Sequence, residues 1–354
     1  MRTSAYTLTS GTLFSVGRVQ TPTLAMIVAR DREIRAFVPE IYLEVVASFQ
    51  SSSGSYQGTY YPVAHDDQLF DSRGQLRAFD PQRMRLPPDG ELARAVAARA
   101  RTGQGRVALL DRSLRRTPAP QLFDLTELQR RANQLYGYSA EQTLNGAQTL
   151  YERYKALSYP RTDSRYLSSA VAATLPQVVA AIAPRYPGLV AAGSGERALG
   201  KRFVDDAKVS DHHALIPTPQ RPPSLPEGSV EGRIYDLVCR RLLMAWHADM
   251  LEAVTRVLTE VSTVESAPDL FAAQGVSLED PGFSVLEPRR AADSRAVPKL
   301  PAGLAVDDAQ QIAKLEVLRK QTQPPRPHTE ASLLAAMETS GRKLQDRALI
   351  EAMR

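Results

Sequence analysis

Between Asp124 and Tyr151 the chain spells two complete helices back to back, and any fold must accommodate that pair. Asp124 followed by Glu127 has the spacing of a capping box, in which the first side chain closes the free N–H groups of a new helix. Leu128, Ala132 and Leu135 then line one face, and Gly137 is placed to stop the helix in a left-handed turn. Ser139 with Gln142 repeats the box, and Leu144, Ala147, Leu150 and Tyr151 follow at helical spacing. Two capped helices joined by Gly-Tyr make a compact helical hairpin. Such a unit serves as plain scaffold or as a DNA-binding element.

Strand-like sequence lies on both sides of that hairpin. Upstream, Leu43, Val45, Ala47 and Phe49 alternate, SSSGS at 51–55 reads as a hairpin turn, and TYYPV at 59–63 reads as the return strand. An Ala-rich helix over 91–101 leads to a strand around 107–110, after which RRTPAP reads as an extended crossover. Downstream, a helix over 232–248 precedes strands at 254–264 and 312–318, with loops between 280 and 310. At the two ends, Thr21 is placed to cap a helix with Pro22 in its first turn, and Thr329 to cap SLLAAME. Leu24, Ile27, Val28 and Ile34 approximate an apolar face on the first of these.

At 354 residues the chain is long enough for two or three domains. Its 43% hydrophobic and 23% charged residues exclude a disordered chain, and no apolar run approaches the roughly 20 residues that span a bilayer. A single cysteine, Cys239, excludes an internal disulfide framework or a multi-cysteine zinc ribbon, and its apolar neighbours suggest a buried helical thiol. A cytoplasmic protein is the simplest fit. The net charge of +5 favours a polyanionic partner without establishing one. Arginines gather at Arg112, Arg115 and Arg116, at Arg130 and Arg131, at Arg161 and Arg165, and at Arg240 and Arg241; each cluster reads equally as a solvated face.

LSYPRTDSRYLSS, residues 157–169, carries the most chemistry. Tyr159, Arg161, Thr162, Asp163 and Ser164 place a phenol, a guanidinium, two hydroxyls and a carboxylate within six residues. A phenol with a pKa near 10 is a poor nucleophile until its developing charge is stabilised. An arginine supplies that stabilisation while its fork of donors holds a phosphate, and the intervening proline stiffens the turn. The composition suits phosphoryl transfer to tyrosine, and it also suits a structural turn.

YPRTDSRYL at 159–167 resembles the active-site segment of type IA DNA topoisomerases. SVGRVQTPTLAMIVARDREI at 15–34 resembles the segment before that family's strap domain. LFDLTELQRRANQLYGYSAEQTLNGAQTLYE at 122–152 is similar to its helical lead-in, SDHHALIPT at 210–218 to its downstream histidine motif, and HTEASLLAAME at 328–338 to its return to the gate region. Five motifs in family order span almost the whole chain, and the YPR and HHALIPT forms look more like the topoisomerase III branch. The resemblance implies an α+β multidomain fold, the family's padlock or toroid: a β-rich strap plus a mostly helical tyrosine domain. The implied divisions are partial gate segments at 1–41 and 326–354, strap at 42–111 and 230–325, and the tyrosine domain at 112–229.

The same resemblance implies an isomerase that cuts one DNA strand without ATP, holds it as a 5′-phosphotyrosine, passes a strand and reseals. Tyr159 would be the nucleophile, Arg161 would hold the scissile phosphate, and His212 would donate to a phosphate oxygen. His213 would serve packing or support the residues that touch the phosphate. Arg18, Gln20, Thr329, Glu330, Ser332 and Arg165 would line the groove for single-stranded DNA, and Asp163 and Ser164 would position Arg161 or brace the turn. Tyr136, Tyr138 and Tyr166 are expected in the core rather than as stacking platforms.

The family's Mg²⁺ ligands lie in a Toprim domain with a DxDxD-type cluster, and no two aspartates here are spaced as DxD. The chain is accordingly expected to bind no metal itself, to be a fragment that relies on a separate or upstream Toprim segment, and to be inactive alone in relaxing DNA, with Arg161 and His212 still permitting a trace of cleavage. No membrane partner is expected. The rival expectation is a catalytically silent remnant that binds single-stranded DNA without cutting. A relaxase is disfavoured because the pair His212–His213 lacks a spacer, and a tyrosine recombinase because its dispersed Arg/His pattern is missing.

Overall fold

The computed structural model describes residues 17, 19–63, 69–220, 222, 225–226, 228–263, 266–288 and 300–339. In chain order these form α1 (Gln20–Arg35), β1 (Ile41–Ser51), β2 (Gly54–Tyr60), α2 (Glu91–Thr102) and β3 (Gln104–Thr117). Then come α3 (Leu125–Tyr136), α4 (Ala140–Glu152), α5 (Ser169–Ala172), α6 (Leu175–Ile182) and α7 (Val230–Met244). The chain returns to strands with β4 (Met250–Thr263), β5 (Ser266–Asp280) and β6 (Ala309–Gln321), and ends its described part in α8 (Glu330–Glu338). The architecture is α+β, and no helix among the described residues is long and apolar enough to cross a membrane.

The strands close into an antiparallel barrel in the order β1-β2-β5-β4-β3-β6. Alternation drives it: Val45, Ala47 and Phe49 of β1 all turn inward and are fully buried. Val107, Val257, Val261, Phe271 and Ala273 join them, and α2 adds Ala93, Val96, Ala97 and Ala100 from one face. Gly58 on β2 makes room for the edge-on contact of Phe49 with Phe271, whose rings lie 5.7 Å apart; a Cβ there would sit 3.0 Å from the Phe49 ring.

The second body is helical. Its core gathers Leu128 of α3, Leu150 of α4, Ile182 of α6 and Ile234, Tyr235 and Leu242 of α7 around Phe123, Leu157, Leu167 and Leu215 from the connecting segments. Gly146 lets α4 approach α7, since a Cβ would lie 2.6 Å from Ile234 Cδ1. Both helices of the hairpin start as their residues dictate. Asp124 accepts from Glu127 N at 2.6 Å, Ser139 and Gln142 form the full reciprocal box, and Gly137 closes α3 at φ 72°.

Several boundaries differ from the sequence expectations, each for a tertiary reason. β3 runs to Thr117, through the boundary expected at 112 and into the supposed crossover, because β4 pairs with it from Gln104↔Ser262 to Thr117↔Met250. α7 follows the boundary expected at 229 yet packs in the helical core, so the barrel resumes only at Met250. β2 ends at Tyr60, short of the expected return strand at 59–63. β5 was not foreseen. Pro268, Asp269 and Gly275 interrupt its alternation, and it is held by β4 along nearly its whole length.

α1 begins one residue before Thr21, with Val19 at its cap, and buries nothing: Leu24, Ile27 and Val28 are exposed rather than forming a packed face. It touches α8, and Arg30 donates to the Arg326 carbonyl at 2.9 Å. α8 in turn rests on the helical body, where Ala331 N donates to Asn133 Oδ1 at 3.2 Å and Ala140 N to Glu330 Oε2 at 2.5 Å.

Candidate active site

α4 ends at Glu152, and Lys155 takes a left-handed φ of 53°, which redirects the chain into the segment carrying Tyr159. That segment is pinned to a second one. Ser158 N donates to Ile216 O at 2.9 Å, Ile216 N to Ser158 Oγ at 3.0 Å, and Thr218 N to Ala156 O at 2.9 Å. The two stretches, 58 residues apart in sequence, therefore hold Tyr159 and His212 side by side. Their ring centroids are 4.5 Å apart at 45°. Tyr151 of α4 meets the Tyr159 ring edge-on at 5.5 Å, and the Lys155 ammonium lies 5.7 Å from the Tyr151 ring centre.

Beyond Tyr159 burial alternates: Pro160, Thr162 and Ser164 are buried, while Arg161 and Asp163 are exposed and Arg165 is half-buried. Thr162 fixes the buried side, donating to the His212 carbonyl at 3.4 Å while its own carbonyl accepts from Leu125 N at 3.0 Å at the start of α3. Ser164 Oγ donates to the Lys208 carbonyl at 3.1 Å. Ser164 therefore braces the turn, and neither it nor Asp163 bonds to Arg161, contrary to one of the two expectations. Arg161 has no hydrogen bond or ion pair among the described residues. A phenol and an imidazole thus stand together within reach of solvent, and the exposed Arg161 follows two residues on along the same edge. That set can hold an oxyanion and support attack by the phenol.

The residues expected to line a DNA groove separate into several situations. Arg18 lies outside the described residues, and Gln20 is the exposed first residue of α1. Thr329 and Ser332 form the reciprocal capping box of α8, and Glu330 caps the N-terminus of α4. Arg165 is held in ion pairs with Asp124 at 2.5 Å and Glu338 at 3.1 Å rather than standing free. His213 is half-buried, with Nδ1 2.7 Å from the Ala214 carbonyl.

Tyr136 and Tyr138 pack on the helical core. Tyr166 does not: its hydroxyl takes the Lys208 ammonium at 3.3 Å, and hydrogen bonds from Gln121 and Lys208 hold it below the ordinary tyrosine pKa. Among the described residues no three His, Cys, Asp or Glu side chains come together, so the residues present do not fit a Mg²⁺ site.

Tyr151, Lys155 and Glu338 belong to the site or its rim and were not singled out from the sequence. Tyr151 carried only its helical spacing, and nothing local to Lys155 or Glu338 marks them.

Comparison with known proteins agrees with this geometry. The sequence model of the DNA topoisomerase family matches residues 2–342. DNA topoisomerase 3 of Shouchella clausii is 32% identical over 348 residues, covering 97% of this chain and 44% of that protein. DNA topoisomerase 3 of Vibrio cholerae is 32% identical over 351 residues, covering 97% and 51% respectively. The chain spans about half the length of the curated relatives it matches. Full-length topoisomerase I from Thermotoga maritima shares the fold, with a TM-score of 0.61 at 18% identity over 97% of this chain and 51% of that one.

Proposed function

The chain belongs to the type IA DNA topoisomerase family, and from that premise we propose that its helical body cuts single-stranded DNA through Tyr159. The observation that carries this reading is the half-buried Tyr159 ring set 4.5 Å from His212, with Arg161 exposed two residues on and unpaired among the described residues. Tyr159 Oη attacks the phosphorus of a backbone phosphodiester. The bond from phosphorus to the 3′ oxygen breaks, the proton given up by the phenol passes through solvent to the departing 3′ oxygen, and the 5′ phosphate stays on the tyrosine. Arg161 grips the phosphate oxygens with paired donors, and a ring N–H of His212 adds a further donor to the charge that builds there. Because the phosphotyrosine keeps the energy of the broken bond, resealing is the reverse attack and needs no ATP.

In this reading the barrel is the strap and the helical body the tyrosine domain. The seating of α8 on α3 and α4 closes the ring that a passing strand must open. The relatives' topoisomerase 3 names favour the topoisomerase III branch.

The test is a labelled single-stranded oligonucleotide mixed with the protein and run on a denaturing gel. Wild type gives a covalent protein–DNA band, and Tyr159→Phe gives none while binding the oligonucleotide within about twofold of wild type, because only the attacking oxygen is lost. Binding by wild type without any adduct would instead make the chain a silent single-strand binder.

A further inference from the structure

At the rim of the site two guanidiniums from different elements converge on one carboxylate. Arg165 Nη2 donates to Glu338 Oε1 at 3.1 Å, and Arg130 Nη1 lies 3.2 Å from Glu338 Oε2. The arrangement is loosely filled. Each guanidinium gives Glu338 a single N–H at a length beyond the roughly 2.7–2.9 Å of strong charge-assisted bonds. Arg130 Nε is buried with no hydrogen-bond partner, and the Glu338 side chain is 44% exposed, so water reaches the carboxylate. Arg165 stays oriented whatever happens to Glu338, because its Nε is held separately by Asp124 at 2.5 Å. It also leaves the chain on the same alternating edge as Tyr159 and Arg161.

We propose that Arg130 and Arg165 form a phosphodiester-binding site that Glu338 fills until DNA arrives. A phosphate carries the same single charge as the carboxylate and offers oxygens that both guanidiniums can share. Arg130 Nη1 also lies 3.2 Å from Glu127 Oε2, which keeps that guanidinium oriented when Glu338 leaves. A strand anchored by Arg161 and running along the exposed edge passes Asp163 and finds its next cation at Arg165. Since Glu338 is the last residue of α8, its displacement removes two of the contacts that seat α8 on the helical body. DNA occupancy is thereby coupled to loosening of the contact between α8 and the tyrosine-bearing body. This rests on the reading of that body as a single-strand binder.

The exchange is tested by fluorescence anisotropy of a labelled single-stranded oligonucleotide with the full 354-residue chain. Glu338→Gln removes the competing charge and is expected to bind about two- to tenfold tighter at low salt, the range open to a pair of exposed ion pairs. A residue of purely structural importance would weaken binding instead. Arg130→Gln, which leaves Asp124 paired with Arg165, is expected to bind more weakly and to flatten the salt dependence by roughly 0.7 in log–log slope for the lost phosphate. Adding Glu338→Gln to it should return less than half of the gain seen in wild type.

Unchanged or weaker binding by Glu338→Gln, with unaltered circular dichroism, overturns the exchange. If that variant does not fold, Glu338→Asp, too short to reach both arginines, must show the gain. Adducts read in the same samples keep the two claims apart. Their absence in every variant sinks the cleavage reading while affinity still decides the exchange.

Discussion

On the barrel, Arg106, Arg115 and Arg256 lie directly across from Glu260, Glu252 and Asp111 in the β3–β4 register. Arg99 of α2 reaches Asp269 of β5 at 2.8 Å. Along the Tyr159 edge of the helical body, by contrast, Arg161 meets no carboxylate among the described residues. Both regions carry arginine and use it differently. Cross-strand pairs contribute modestly to a sheet, roughly 0.2–1 kcal/mol each, and leave no charge for a ligand. An unpaired guanidinium beside a phenol keeps its donors for an oxyanion. The cross-strand partners of the barrel arginines therefore set them apart from Arg161, while Arg130 and Arg165 stand between the two cases, paired with Glu338, a carboxylate that water reaches.

The largest effect expected from this contrast is on the barrel. Phe271→Ala removes a fully buried ring from the sheet core and should cost about 3–5 kcal/mol. Trp246, the only tryptophan, is buried in the helical core and reports that body alone. Its fluorescence transition on heating should hold while the far-ultraviolet signal melts earlier. A joint shift of both signals would show that the two bodies unfold as one unit and would blunt the comparison.

Next comes the pairing argument itself. Arg161→Ala should lower adduct yield by about 10²–10³-fold, the usual cost of removing a donor from a developing oxyanion. Arg115→Ala, on the barrel, should leave yield within about twofold and change stability by no more than about 1 kcal/mol. Equal losses in the two variants would mean that unpaired and paired arginines act alike here.

The smallest effect is a pH dependence confined to the helical side. His247, with Nε2 3.0 Å from the Leu189 carbonyl, has its pKa lowered below the ordinary 6.5, chiefly by burial. The folded protein thus holds His247 neutral where the unfolded chain would protonate it. Stability from this group is present above pH 6.5 and is lost as pH falls from there through the lowered folded value. The Trp246 melt should decline over that window, and His247→Gln should flatten it. A decline of the same size in His247→Gln would assign the acid sensitivity to other groups.

Much of this organisation was legible in the chain because its causes are local. The caps at Asp124, Ser139 and Thr329 lie within three residues of the groups they satisfy, and the alternation of β1 is complete in itself. β5 was hidden because its partner strand, and not its own pattern, makes it a strand. Within the site, Tyr159, Arg161 and His212 were readable as residues in motifs, but the approach of His212 to Tyr159 depends on pairing between segments 58 residues apart. The engagement of Arg165 by Glu338 spans 173 residues, and no local pattern marks it. Cys239 shows the opposite case: its apolar helical neighbours foretold burial, which pushes its thiol up to about 12.

The central claim is that the phenol of Tyr159 forms the bond to DNA. Its most direct test is to trap the complex of the wild-type chain with a single-stranded oligonucleotide in denaturant. Protease and nuclease digestion followed by fragmentation mass spectrometry then identifies the residue that carries the nucleotide. The account predicts a 5′-phosphonucleotide on Tyr159. A nucleotide on Tyr151, on Tyr166 or on any other residue would contradict it.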